Sequence, residues 1–100
     1  MITREVVFDL SGYSIDAIQR AAYRFSDRLS VDIHSDATGF RCLLHVDGEP
    51  SEGEADVVAA DFRREVLDQV LRERIRDETE NVRNLILAFA FSNTGLAVEE

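Results

Sequence analysis

The feature that most constrains how this chain folds is a long stretch without helix breakers, which runs from Glu54 to Ser92. It contains neither proline nor glycine, so every residue in it can take part in helical hydrogen bonding. One apolar row in this stretch has a four-residue spacing and comprises Val58, Phe62, Val66 and Val70. A second, adjacent row comprises Leu67, Leu71 and Ile75. Together the two rows predict a wide apolar stripe that faces a sheet.

The same stretch is interpreted as two helices, with one continuous helix as the alternative. The segment from Asp77 to Glu80 is polar on all sides, which suggests a break or kink with Asp77 or Thr79 as the cap of a second helix. That helix carries the apolar run from Leu85 to Phe91. We expect its end, Phe89 to Phe91, to be tucked onto the sheet rather than offered to a partner.

Three strands and a first helix precede this stretch. Apolar and polar residues alternate in residues 5–10, 29–35 and 40–46, which predicts three strands. Residues 15–25 have an apolar stripe at helical spacing, with Ser14 placed to act as the N-cap. The chain therefore begins with a β-α-β-β order.

A tight turn is predicted between the second and third strands. Residues Asp36 to Gly39 have turn chemistry, with the glycine available for a positive φ. Pairing about this turn gives two opposed pairs, Val31 with Leu44 and Ile33 with Cys42. Both apolar sets then share one face of the sheet, so the predicted register is self-consistent.

The element order predicts an α+β fold, β-α-β-β-α-α, in which helices cover a three-stranded sheet. The first elements match the split β-α-β start of a ferredoxin-like fold, whose final strand is replaced here by a helix. We therefore expect a truncated ferredoxin-like arrangement. The first strand is expected at an edge of the sheet or beside the third strand, and at least one edge is expected to stay unpaired.

A length of 100 residues suits a single domain that spans residues 1–100. Residues 47–53 form an acidic loop that contains the only proline. Residues 93–100 are predicted to be a flexible C-terminal tail. No internal repeat divides the chain further.

Charge and composition argue against several classes of function. The formal net charge is -9, which repels phosphate backbones and argues against nucleic-acid binding, while it suits a basic partner. The longest apolar run is far shorter than the roughly 20 residues that span a membrane. With a single cysteine and no apolar signal core at the N-terminus, we expect a soluble cytoplasmic protein.

The residues themselves predict no catalytic or metal site. His34 and His45 fall on the outer face of the hairpin, roughly 13 Å apart along the strands, which is too far for one metal ion. Cys42 points inward and is expected to be a buried thiol. The helix carboxylates have arginines at pairing distance along the helix, and no phosphate loop, zinc spacing or nucleophile elbow is present. No cofactor is expected.

Three blocks of the sequence stand out together. They are Ala-Ala-Tyr-Arg-Phe-Ser at residues 21–26, Asp-Gln-Val-Leu-Arg-Glu at 68–73 with Glu-Thr at 78–79, and the run at 82–92. In content and order, over roughly Val6 to Thr94, they resemble the HxsD family of the bacterial His-Xaa-Ser system. The family pattern of the second block is Asp-Tyr-x-Leu-Arg-Glu, so Gln69 stands here in place of a tyrosine.

This resemblance implies an accessory role in the maturation of a ribosomally made peptide. The family is encoded beside two radical-SAM enzymes and a small protein with His-Xaa-Ser repeats, and it carries no known catalytic motif. The implied partners are the radical-SAM proteins, the repeat peptide, or both. A homodimer is a further candidate assembly.

Four charged helix residues are the candidates for partner binding: Asp68, Arg72, Glu73 and Arg83. Arg72 and Glu73 follow Leu71, which the apolar rows place in the core, so both rotate out toward the helix flanks. Arg72 can pair with Asp68 one turn back at modest energy, about 0.3–0.5 kcal/mol. Arg83 precedes the last apolar run. Stability alone gives little reason for arginine at these positions, which favours contact with a partner.

Two functions from different classes follow from the sequence. The first is a binding module that brings precursor peptide and radical-SAM enzyme together. An open sheet edge can accept an extended peptide, and acidic charge favours a basic or histidine-bearing segment. The alternative is a small stand-alone enzyme that uses the helix carboxylates with His34 or His45.

Overall fold

Three strands and two helices follow one another in the order β-α-β-β-α in the computed structural model. The structure describes the backbone of residues 2–94 and the side chains of residues 2–84. Its elements are β1 (Ile2–Asp9), α1 (Ile15–Arg24), β2 (Leu29–Ser35), β3 (Gly39–Val46) and α2 (Glu52–Thr94). The predicted α+β class is confirmed, with one long second helix in place of the predicted pair.

The sheet is antiparallel and has the strand order β1-β3-β2. β2 and β3 pair in the predicted register, with Val31 opposite Leu44 and Ile33 opposite Cys42. On its other side β3 pairs with β1, where Val6 also lies opposite Cys42. β1 is therefore both at an edge and beside β3. Within residues 2–94, β1 and β2 each have one edge without a strand partner.

The turn between β2 and β3 is organised by the carboxylate of Asp36. Its Oδ1 accepts hydrogen bonds from the Thr38 hydroxyl at 2.7 Å, the Thr38 amide at 2.8 Å and the Gly39 amide at 3.1 Å. These bonds, the hydroxyl's foremost, hold the pKa of the Asp36 carboxyl below its usual value. Gly39 serves a close approach rather than the expected positive φ, because a Cβ there would collide with the carbonyl oxygen of Phe8.

The core lies between the inner face of the sheet and both helices. The hydroxyl of Ser14 accepts a hydrogen bond from the Ala17 amide at 3.1 Å, which confirms the predicted N-cap of α1. Phe62 of α2 is completely buried, and its ring meets that of Phe25 edge-on at a centroid distance of 5.7 Å. The ring of Phe8 lies 6.3 Å from that of Phe62. Aromatic packing thus joins both helices to the sheet.

α2 begins with a capping box formed by Ser51 and Glu54. The Ser51 hydroxyl accepts from the Glu54 amide at 3.1 Å, and the Glu54 carboxylate accepts from the Ser51 amide at 2.8 Å. The bond from the Ser51 amide is the main reason that the pKa of Glu54 is lowered. Arg4 of β1 ties this first turn to the sheet through Glu52 at 2.9 Å and Asp56 at 2.8 Å.

Of the two predicted apolar rows on α2, the first is confirmed in the core and the second is not. Phe62, Val66 and Val70 are buried, whereas Leu67, Leu71 and Ile75 are 47%, 46% and 62% exposed. The prediction that Leu71 belongs to the core is therefore wrong. Residues four apart advance about 40° around a helix with 3.6 residues per turn. Leu67 accordingly lies about 140° around from Phe62, away from the sheet.

The predicted break between two helices is also wrong, and the alternative of one continuous helix holds. α2 runs from Glu52 to Thr94 and includes the polar segment from Asp77 to Glu80. Polar residues without proline or glycine do not interrupt helical hydrogen bonds, so cap-forming side chains there need not act as caps. The expected core packing of Phe89 to Phe91 concerns side chains outside the described residues. Of the predicted tail at residues 93–100, residues 93 and 94 belong to α2, and residues 95–100 lie outside the described residues.

The chain divides into two compact units between Val70 and Leu71. The first unit contains the sheet, α1 and residues 52–70 of α2. In the second unit, side chains are described from Leu71 to Asn84 and lie on a single helical segment. Each unit is described separately below.

Candidate functional site

A concavity between α1 and α2 lies within the first unit. It has a volume of about 380 Å³ and is lined by Gln19, Arg20, Tyr23, Arg24 and Gln69. α1 turns its small and apolar residues toward the core, so its arginines and its tyrosine lie on the opposite face. The site, called the helix groove below, thus combines an aromatic ring, two guanidinium groups and two amides.

A buried polar contact positions one of the two arginines. The Oε2 atom of Glu65 accepts a hydrogen bond from Gln69 Nε2 at 2.7 Å and forms an ion pair with Arg24 Nε at 3.3 Å. The Glu65 side chain is 17% exposed and that of Arg24 is 60% exposed. The carboxylate is therefore the less exposed member of the pair, and the guanidinium is the member that solvent or a partner reaches.

The other side of the helix groove is formed by α1 alone. Arg20 Nε pairs with Asp16 Oδ2 at 2.9 Å across one helical turn, and both side chains are about half exposed. Tyr23 lies between the two arginines in sequence and is 81% exposed. Tyrosine and arginine are enriched among the residues that contribute most of the binding energy at protein–protein interfaces. Guanidinium groups also bind carboxylates in charge-assisted hydrogen bonds.

Sequence reasoning did not select Tyr23, Arg24 or Gln69 as site residues. The available signal was a large aromatic residue off the apolar stripe of α1. The first two blocks of the resemblance meet in this groove, since the first supplies Tyr23 and Arg24 and the second supplies Gln69. Gln69 is buried and is the residue of α2 that lines the groove.

The four residues predicted to bind a partner are divided between the two units. Asp68 is half-buried, lies next to Gln69 and belongs to the first unit, while Arg72, Glu73 and Arg83 belong to the second. Asp68, Arg72 and Glu73 each interact with another group of the chain. At about 100° per residue, Arg72 and Arg83 share one flank of the helix, whereas Glu73 lies on the side away from Leu71.

The second unit presents a row of large aliphatic side chains, called the aliphatic row below. Leu71, Ile75 and Val82 are 46%, 62% and 54% exposed. Their spacing keeps them within about 40° of one another around the helix. Arg83 contributes to a shallow depression beside this row, together with Arg76, Thr79 and Glu80. Apolar residues bordered by arginine are typical of a surface that binds another protein.

The outer face of the sheet carries a polar network centred on His45. Its Nδ1 lies 3.0 Å from the Thr3 hydroxyl and its Nε2 lies 2.9 Å from Asp32 Oδ2. On the same face Arg41 pairs with Glu5 at 3.5 Å. In this order a carboxylate can orient the imidazole, and the imidazole can accept a proton from the hydroxyl as a general base. The histidine lies on the predicted face, which is the face opposite to the core and therefore away from the carboxylates of α2.

The remaining reactive group of the first unit is the Cys42 thiol. It is completely buried, and burial raises its pKa to about 11, so the thiolate needed for nucleophilic attack or metal binding is disfavoured. Among the residues whose placement is described, no three His, Cys, Asp or Glu side chains are grouped to hold a metal ion. Over the same residues, no helix combines the length and apolarity needed to cross a membrane.

Residues 8–97 match the family model described as His-Xaa-Ser system protein HxsD. The match covers most of the chain and includes both the helix groove and the aliphatic row. No curated protein and no solved structure was found to match.

Proposed function

This chain belongs to the HxsD family of His-Xaa-Ser system proteins, and on that basis we propose that it is an accessory binding protein of a peptide maturation system. It holds the His-Xaa-Ser repeat peptide, a radical-SAM enzyme of the same system, or both. It acts through its surfaces and leaves the chemistry to the radical-SAM proteins. Its place is the bacterial cytoplasm, where those proteins work.

The observation that carries this proposal is the aliphatic row of Leu71, Ile75 and Val82. Each of these side chains is about half exposed or more. Covering three such side chains with a partner gains roughly 25 cal/mol for each Å² of apolar surface that leaves water. A partner helix with apolar residues at the same spacing can bury the row.

The charged residues beside the row give the contact its direction and specificity. Arg72 and Arg83 border one flank, where their planar guanidinium groups can bind carboxylates of a partner in forked hydrogen bonds. We propose that Asp68 and Glu73 contribute from their own positions, Asp68 in the first unit and Glu73 on the other side of the helical segment. These four residues form the proposed partner-binding set.

A second contact is proposed at an edge of the sheet. A ferredoxin-like fold has a fourth strand after its second helix. We propose that this chain is a truncated form of that fold, with the place of the missing strand open. Edges of β1 and β2 without a strand partner in the described residues support this. An extended repeat peptide can add as a strand there through main-chain hydrogen bonds.

A stand-alone enzyme is the second candidate function, and the His45 network is the observation in its favour. The form predicted from sequence, in which a histidine works with helix carboxylates, loses support because these groups lie on opposite sides of the sheet. Incubation of the purified protein with the repeat peptide alone tests this candidate. We expect no change of peptide mass; a change without the radical-SAM proteins would contradict the accessory role.

Co-purification tests the accessory role directly. The full chain carries an affinity tag and is expressed with each protein of the system in turn. We expect stable association with at least one radical-SAM protein or with the repeat peptide, and dissociation constants follow by calorimetry. Failure to associate with any of them, alone or in combination, would overturn the proposed function.

A further inference from the structure

We infer that the helix groove of the first unit is a docking site for an acidic segment of a protein partner, a segment that presents carboxylates beside apolar side chains. This inference rests on the proposed binding function and specifies the chemistry of one partner. It differs from the expectation based on net charge, which favours a basic segment. All of the contacts involved lie within the first unit.

The charged residues that line the groove are basic although the chain as a whole is acidic. The lining includes two arginines and no carboxylate residue. Each arginine already pairs with one carboxylate outside the lining, Arg20 with Asp16 and Arg24 with the partly buried Glu65. Both contacts use Nε of the arginine, so the Nη side of each guanidinium can donate to a second carboxylate.

Arg24 is also held in place before any partner arrives. Gln69 and Arg24 both contact the same oxygen of Glu65, which joins α1 and α2 through one buried carboxylate. A guanidinium already fixed by such a contact loses less side-chain entropy on binding than a free one. Placement of this kind suits a recognition site better than a solvated helix surface.

Tyr23 supplies the apolar part of the site. Its ring is 81% exposed although tyrosine usually contributes apolar area to a core or an interface. Burial of this ring by an aliphatic or aromatic side chain of the partner stabilises the contact, and its hydroxyl can donate to a carboxylate. The volume of the concavity, about 380 Å³, matches a few side chains of a docked segment.

Nuclear magnetic resonance of the labelled full chain tests the inference without a known partner. The probe is a capped hexapeptide of alternating glutamate and leucine, and its charge control has lysine in place of glutamate. We expect the acidic probe to shift the amide signals of Tyr23, Arg24 and Gln69, including the side-chain amide of Gln69. The double variant Arg20→Gln/Arg24→Gln should bind the acidic probe about tenfold more weakly than the parent does. The matched double variant Arg63→Gln/Arg64→Gln on α2 should bind it as the parent does.

The outcomes separate this inference from the proposed function. If the lysine probe shifts the groove signals as strongly as the acidic one, or the acidic probe shifts no signal in the groove, the docking site is wrong. That result leaves co-purification with the system proteins unaffected. Conversely, a clear shift by the acidic probe together with no association in the co-purification would retain the site and overturn the function.

Discussion

The two parts of α2 carry the same kind of apolar residues with different surroundings. Between Glu52 and Val70 the helix buries Phe62 and Val66 completely. Between Leu71 and Asn84 the aliphatic row is about half exposed or more. The valines at positions 66 and 82 are chemically identical, so the difference lies in what each part of the helix contacts.

This difference teaches that apolar spacing predicts a helix face but not the surface that covers it. In the first part, the covering surface is the sheet and α1. In the second part, no described side chain covers the row, and large aliphatic residues that remain in water are costly and aggregation-prone unless a partner binds them. Three predictions can break or sharpen this contrast, and a fourth concerns the turn of the sheet.

The largest expected effect is that of Phe62→Ala. Phe62 is completely buried and contacts the rings of both Phe25 and Phe8, so its loss should lower the free energy of unfolding by about 3–5 kcal/mol. Urea unfolding followed by circular dichroism measures this. Leu67→Ala is the control, since Leu67 is on the exposed side. Comparable losses for the two variants would remove the distinction between the two faces of the helix.

A matched pair of identical substitutions compares the two parts directly. Val66→Ala removes two buried methyl groups and leaves a cavity, which should cost about 2 kcal/mol of unfolding free energy. Val82→Ala should change it by no more than about 0.5 kcal/mol, because the side chain is exposed and alanine favours a helix more than valine does. Thermal unfolding of both variants is the measurement. A large loss for Val82→Ala would mean that the row is buried by the chain itself.

A smaller effect is expected for the arginines beside the row. Arg72→Ala and Arg83→Ala should melt within a few degrees of the parent, since exposed ion pairs on a helix contribute about 0.3–0.5 kcal/mol. Each should weaken association with a system partner at least tenfold, about 1.4 kcal/mol. Arg63→Ala, an exposed arginine in the first part of α2, is the control. Normal binding with much lower melting temperatures would make the arginines structural braces.

The smallest expected effect is a change in the pH dependence of folding stability, caused by a substitution in the turn between β2 and β3. The folded-state pKa of Asp36 is lowered. Its contribution to folding stability is therefore fully present above the unfolded-state pKa of about 3.9, and it disappears as the pH falls through the folded-state pKa. Asp36→Asn keeps an oxygen acceptor for the turn but cannot titrate. We expect the variant to lose stability less steeply than the parent below about pH 4. Identical acid unfolding curves would show that this turn contributes nothing to the dependence.

Local rules predicted the parts of the fold that local chemistry determines. The strand register followed from alternation on both sides of one turn, and it places Val31 opposite Leu44 as predicted. The N-cap at Ser14 followed from a side chain that reaches a nearby amide. These features need no knowledge of the tertiary contacts.

The errors arose where the result depends on distant contacts. Leu71 was placed in the core because the second row was treated as part of the buried face, although its first member, Leu67, lies about 140° around the helix from Phe62. Arg24 and Gln69 are far apart in the sequence and meet only because both contact Glu65. No local pattern indicates that convergence, so the helix groove could not be predicted. The predicted binding residues remain a proposal that only partner experiments test.

The most direct test of the account is the substitution Ile75→Glu, at the most exposed position of the aliphatic row. Unfolding free energy and affinity for the co-purified system partner are measured side by side on the variant and the parent. The account predicts a free energy within about 0.5 kcal/mol of the parent and binding weakened at least a hundredfold, about 2.7 kcal/mol. A variant that binds normally, or one that loses several kcal/mol of stability, would contradict the claim that this row binds a partner.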